Sequence, residues 1–166
     1  MNIAVAAKPL FDYPPLDSLP VEHLCDLSVD LELPPIISTP RGTLMPYIGK
    51  GGRIDGPRLH GNFLPGSVDW VLLGTDGISR LDIRGAIRTD DGALIYCEAR
   101  GIAKLPADGR KRLANGERLP FEETYLRTTP TLETSDQRYS WLNDLVLLGY
   151  NEFSAGHIDF RIYRVL

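Results

Sequence analysis

The chain has 166 residues, 43% of them hydrophobic and 24% charged, with a formal net charge of −4. That length suits one domain able to bury a core without metal or disulfide staples. The acidic balance excludes nucleic acid as the main partner, because phosphate binding needs a basic footprint, and no apolar run approaches the roughly 20 residues of a membrane helix. The 16 glycines and 13 prolines suit a turn-rich β-protein.

Residues 1–22 carry Pro9, Pro14, Pro15 and Pro20 and read as an irregular arm. Leu10, Phe11, Tyr13 and Leu16 give the arm apolar groups that can pack on the body or on a second subunit, so a homodimer is one expectation. The stretch "MNIAVAAKPLFDYPP" lacks the charged start and long apolar run of a signal peptide, which predicts a cytoplasmic protein. Residues 23–33 alternate: Cys25, Leu27, Val29, Leu31 and Leu33 face one way and Leu24, Asp26, Ser28, Asp30 and Glu32 the other. Pro34-Pro35 then stops the ladder. The glycine- and proline-dense region that follows is punctuated by Leu59, Phe63, Leu64 and Trp70 to Leu73, which predicts short strands joined by turns. "GKGG" at 49–52 has no following helix and does not read as a phosphate loop. "GTDG" at 74–77 reads as a hairpin turn.

"LDIRGAIRTDDGALIYCEARG", residues 81–101, is the clearest hairpin. A three-residue Asp90-Asp91-Gly92 loop pairs Ile87 with Ile95, Arg84 with Glu98 and Asp82 with Arg100, which keeps both faces consistent. A one-residue slip would invert every side chain. Asp90-Asp91 reads as turn chemistry rather than a calcium site. Cys97 falls on the apolar face and reads as a buried free thiol; nothing in the sequence supports a disulfide to Cys25. Residues 103–120 read as an open loop in which Arg110, Lys111 and Arg112 are solvated. A strand follows through Tyr125, Arg127 and Thr129. A short helical turn near 135–145 is capped by Ser135, with Asp136 in its first turn. Strands from Val146 and over "HIDFRIYRV" close the chain, the last with Ile158, Phe160 and Ile162 on one face. About eight or more hairpin-linked strands and almost no helix predict an all-β fold, an antiparallel up-and-down β-barrel of calycin-like type. Closure removes the edge strands an open sheet would expose.

The collinear motifs "TPRG" (39–42), "GPRLHG" (56–61), "VDW" (68–70), "DG" (76–77), "LDIR" (81–84), "TDDGALI" (89–95) and "YSWLN" (139–143) resemble the DUF3237 family, also called UPF0311. The resemblance implies a single compact β-barrel domain over residues 23–166, with the arm of residues 1–22 as an addition. It implies no settled activity. The residues here that carry it are Arg41, Arg58, Asp69, Trp70, Asp82, Arg84, Asp91, Tyr139, Trp141 and Asn143.

No nucleophile elbow, P-loop, dinucleotide fingerprint or HExxH motif is present. His23, His60 and His157 show no metal spacing, so neither metal nor cofactor is expected. What remains is acids, arginines and aromatics at alternating positions. If the barrel turns them inward, they would line a cavity for a small hydrophobic or aromatic, oxygen-bearing ligand. The candidate catalytic residues are Asp82, Arg84, Tyr96 and Glu98, with Asp69 as a further acid: a carboxylate would move a proton while the arginine holds a developing oxyanion. Candidate substrate-binding residues are Arg41, Arg58, Trp70, Tyr125, Arg127, Tyr139, Trp141 and Asn143, although a strand Trp such as Trp70 is more often core. The expected activity is a cofactor-free isomerase, cyclase or lyase. The alternatives are a non-catalytic small-molecule binding protein and a dimeric interaction module. The direction of Arg84 and Glu98 decides between a site and an ordinary solvent coating.

Overall fold

The computed structural model describes residues 16–166, so most of the proline-rich arm, including Leu10, Phe11 and Tyr13, lies outside the described residues. Ten strands follow: β1 (Val21–Leu31), β2 (Ile37–Thr39), β3 (Gly42–Asp55), β4 (Gly61–Phe63), β5 (Val68–Gly74), β6 (Ser79–Thr89), β7 (Leu94–Lys104), β8 (Tyr125–Glu133), β9 (Leu147–Ser154) and β10 (His157–Val165). The first strand begins at Val21, inside the stretch expected to be arm.

All pairings are antiparallel, and the sheet closes into a barrel of eight staves. The order round it is β1, β10, β9, β8, β7, β6, then β5 and β4 sharing one stave, then β3 back to β1. The long strand β3 makes closure possible: one edge takes β5 and then β4, and the other takes β2 and then β1. Its glycines allow the contact with β1, since a Cβ at Gly52 would lie 2.2 Å from the Ser28 carbonyl oxygen. "GKGG" is therefore part of a strand.

The β6–β7 register is the expected one: Ile87 faces Ile95, Arg84 faces Glu98 and Asp82 faces Arg100. Gly92 turns the corner at φ 94°, a conformation that favours glycine. A bulge at Leu24–Cys25 in β1 places both residues in the core, so the strict alternation expected there breaks once. Cys25 and Cys97 are free and buried, and burial pushes both thiols up to about 12.

The two barrel ends differ. One is plugged by a 3₁₀-helix, Gln137–Asp144, whose Leu142 is buried and whose Tyr139 and Trp141 pack on the main core. Its N-cap is Asp136, accepting from the Arg138 N–H at 3.0 Å, rather than the expected Ser135. The plug is latched to the β6–β7 turn, because Asp91 accepts from Tyr139 Oη at 3.0 Å and from Thr89 Oγ1 at 2.6 Å. Asn143 pins it to Thr134 through both amide atoms, at 2.9 and 3.0 Å. Asp90 is held bidentately by Arg53 at 2.7 and 2.8 Å, so both turn acids are used by the fold. At the other end the region expected to be an open loop contains a short helix, α1 (Gly109–Ala114). Arg112 there is ion-paired with Glu117 and Glu123 rather than free in solvent.

Leu142 is 1% exposed. Leu142→Ala is expected to lower the unfolding free energy by about 2–5 kcal/mol in denaturant titration, the usual cost of such a truncation in a packed core. A loss below 1 kcal/mol would show that the plug is not part of the core.

Candidate functional site

The barrel interior is filled at the plugged end and open towards α1. Between lies a cavity of about 170 Å³. Its walls are mostly apolar: Leu27, Val29 and Leu31 from β1, Leu81 and Ile83 from β6, and Phe153, Phe160 and Ile162 from β9 and β10. Leu105, Arg110 and Leu113 line it from the α1 segment. The charged run expected to be wholly solvated thus contributes one residue, Arg110, to the cavity lining.

Asp69 is the acid inside. In β5 the inward positions are Asp69 and Val71, which line the cavity, whereas Trp70 points out and is 47% exposed. Trp70 is therefore neither core nor cavity wall. The β5–β6 ladder keeps one register but skips Trp70 and Val71. At this gap the Asp69 carboxylate accepts the Asp82 N–H at 3.1 Å, in place of a backbone acceptor. Among the described residues no cation pairs with Asp69. Burial pushes its carboxyl up to about 7; the hydrogen bond from the Asp82 N–H opposes this shift and the Asp82 charge adds to it. Tyr47 is its cross-strand partner on β3 and also lines the cavity. Burial, and then the Asp69 charge, raise the Tyr47 phenol above its ordinary value, so it stays a neutral donor at pH 7. Phe153 holds the Tyr47 ring edge-on at 5.7 Å.

The charged face of the β6–β7 hairpin lies outside the barrel, which corrects the expectation for Asp82, Arg84, Tyr96 and Glu98. Period-two alternation sends Leu81, Ile83, Cys97 and Ala99 to the cavity and these four outward. Their mutual contacts are satisfied there. Arg84 donates to Asp82 at 2.7 Å and lies 3.6 Å from Glu98, which also accepts from Tyr96 Oη at 3.0 Å. Such exposed pairs stabilise little. They form a matched ladder in solvent and touch nothing that enters the barrel.

The expected binding residues also prove to be surface or fold elements. Arg41 is exposed in the β2–β3 turn. Arg58 stacks over Trp141 at 4.0 Å, outside the plug. Arg127 lies on the outer wall among the rings of Phe121, Tyr125 and Tyr150, at 4.3, 5.0 and 4.4 Å. Tyr139, Trp141 and Asn143 build the plug. Of the residues expected from sequence, only Asp69 is in the cavity.

Sequence reasoning missed Tyr47, Thr128 and Asn151. Thr128 is 2% exposed and Asn151 is 1% exposed, on the inward faces of β8 and β9. Thr128 Oγ1 and both amide atoms of Asn151 have no hydrogen-bond partner among the described residues. Leaving such a group unpaired costs about 1–3 kcal/mol. The available signal was Asn151 at an inward position of "LLGYNEF", two residues from Gly149, where an apolar residue is the rule. Of His23, His60 and His157, none approaches the cavity lining. No group of three or more His, Cys, Asp or Glu able to hold a metal occurs among the described residues. No helix there is long and apolar enough to cross a membrane.

Comparison with known proteins follows the same barrel. The family model for DUF3237, described as a protein of unknown function, matches residues 19–165. A UPF0311 protein of Clostridium acetobutylicum is 32% identical over 148 residues, covering 87% of this chain and 92% of that protein. Three solved structures are similar. The conserved protein of unknown function from Rhodopseudomonas palustris has a TM-score of 0.85 at 24% identity, over 91% of this chain and 100% of that one. A beta-barrel like protein from Acinetobacter baumannii has a TM-score of 0.74 at 29% identity, over 94% and 100%. An enzyme from Penicillium herquei has a TM-score of 0.64 at 21% identity, over 95% and 100%, a likeness of fold alone. With the family pattern spanning all but the ends of the chain and its motifs accounted for by the plug, the turns and the barrel staves, the protein belongs to the DUF3237 (UPF0311) family.

Proposed function

We propose that the protein is a small-molecule enzyme of isomerase, cyclase or lyase type, in which Asp69 moves a proton on a hydrophobic, oxygen-bearing substrate held in the barrel. One observation carries this reading: a carboxyl in an apolar cavity with a single hydrogen bond and no cation beside it. A carboxyl shifted to about 7 is populated in both protonation states at neutral pH, which suits general acid–base transfer. The ionised form takes a proton from a substrate O–H, or from a C–H beside a carbonyl, and returns it at another atom. The Tyr47 hydroxyl donates to the oxygen on which charge develops. The role first expected of Arg84 passes to this neutral donor. The Penicillium herquei enzyme supports the reading only by showing that the fold hosts catalysis. The mostly apolar walls favour a second reading, a carrier that binds the same molecules without chemistry.

A thermal-shift screen of aromatic and terpenoid carbonyl compounds, followed by mass spectrometry in deuterated buffer, separates the two readings. The enzyme reading expects deuterium in a bound compound, lost with Asp69→Asn while binding persists. Asp82→Asn and Glu98→Gln should change neither. Incorporation that survives Asp69→Asn removes Asp69 from the mechanism, and binding with no incorporation favours the carrier.

Asp69 also predicts a pH dependence of stability. Its folded value, about 7, lies above the unfolded value near 3.8, so the folded state holds the extra proton between them. The contribution is complete below about pH 4 and is lost as pH rises through 7, amounting to roughly 4 kcal/mol at most. The melting temperature of wild type relative to Asp69→Asn should therefore fall between pH 4 and 7 and level off above. A difference that is flat with pH would show that Asp69 is ionised like a surface carboxylate.

A further inference from the structure

Asp69 and Tyr47 account for one side of the cavity, on β5 and β3. The other side holds the second polar feature of the interior, Thr128 on β8 and Asn151 on β9. Round the eight-stave barrel, β9 is separated from β5 by three staves in either direction, and β8 is likewise opposite β3. The two polar pairs therefore lie on opposite sides of the barrel.

The second pair is a distinct unit. A methyl group built at Gly149 would fall 2.2 Å from Thr128 Oγ1 and 3.4 Å from Asn151 Oδ1, so both oxygens sit over the bare backbone of that glycine, inside the barrel. Thr128 itself lines the cavity. Neither side chain has a partner among the described residues, although each is almost fully buried. Buried amides and hydroxyls are normally paired, and an unpaired hydroxyl in a cavity wall, with an unpaired amide buried beside it, marks the place where a partner arrives with the ligand. The set is neutral and offers both donors and acceptors: an amide NH₂, an amide carbonyl and a hydroxyl. It suits a ketone, aldehyde, ester or hydroxyl oxygen, and it offers no countercharge to a carboxylate or phosphate. An apolar cavity of 150 Å³ accepts benzene, so 170 Å³ has room for one ring.

We propose that Thr128 and Asn151 form a second anchoring point of the ligand site, so that the cavity takes a ring-sized molecule with uncharged oxygen functions at opposite sides, one on Asn151 and Thr128 and the other presented to Asp69 and Tyr47. This rests on the reading of Asp69 as the acid–base group and specifies its substrate class. The ring lies against the apolar walls, and the two oxygens fix its orientation between the poles.

The test uses the full chain with three probes, 4-hydroxybenzaldehyde, 4-methylbenzaldehyde and p-xylene, with binding followed by calorimetry and stability by thermal unfolding. Wild type should bind them in that order of decreasing affinity. Asn151→Leu and Thr128→Val should each weaken the two aldehydes tenfold or more and leave p-xylene unchanged or tighter. The ligand-free variants should melt at or above the wild-type temperature, because each replaces an unpaired buried group by an apolar one. Asp69→Asn should lower affinity for the hydroxyl-bearing probe alone. If both Asn151→Leu and Thr128→Val melt lower and bind all three probes as wild type does, the pair is structural and held by internal water, and the inference fails. Should Asp69→Asn still discriminate the hydroxyl in that case, the Asp69 reading survives on its own. No binding of any probe at millimolar concentration overturns the ring-sized ligand class.

Discussion

The barrel closes because β3 is long enough to serve two neighbours on each edge. β5 and β4 divide one side of it, and β2 and β1 divide the other. Once the ring is closed, every second side chain faces a mostly apolar lumen, and the others face water. The interior becomes a place where an unpaired polar group is costly and a charge more so. The same Asp on an open sheet would be an ordinary surface carboxylate. Here burial raises its carboxyl towards neutrality.

The two ends of the lumen receive different treatment. Leu142, Trp141 and Tyr139 fill one end, and Asp91, Asp136 and Asn143 spend their hydrogen bonds on holding that plug in place. At the other end the short helix α1 lies over the cavity, with Leu105, Arg110 and Leu113 turned towards it. One end is thus held by side-chain hydrogen bonds, and the space for a ligand is left towards the other. Several motif residues are explained by the plug alone, and a conspicuous motif is not in itself a site.

Much of the fold was legible in sequence. The β6–β7 register followed from requiring both faces of one hairpin to be consistent, and the β5–β6 turn followed from its glycine. The helix α1 was not legible, because six residues between Pro106 and Gly116 carry too little apolar periodicity to register. The bulge at Leu24–Cys25 was hidden for a related reason: one inserted residue leaves no mark on local composition.

The candidate site was much less legible. Alternation by itself separates two faces of a hairpin, and it did so correctly for Asp82, Arg84, Tyr96 and Glu98, but the chemistry was expected on the charged face. In a barrel whose core is the lumen, the apolar face turns in, so a face of matched charges belongs outside. An interior polar group therefore appears as a lone exception within an apolar list, as Asp69 does beside Val71 and Asn151 beside Gly149. The sequence by itself determined the strand faces, the hairpin register and the absence of familiar catalytic motifs. Only the tertiary structure decided that Asp69, Tyr47 and Thr128 line one cavity with Asn151 buried beside Thr128, because they lie on four different staves and are brought together solely by closure of the sheet.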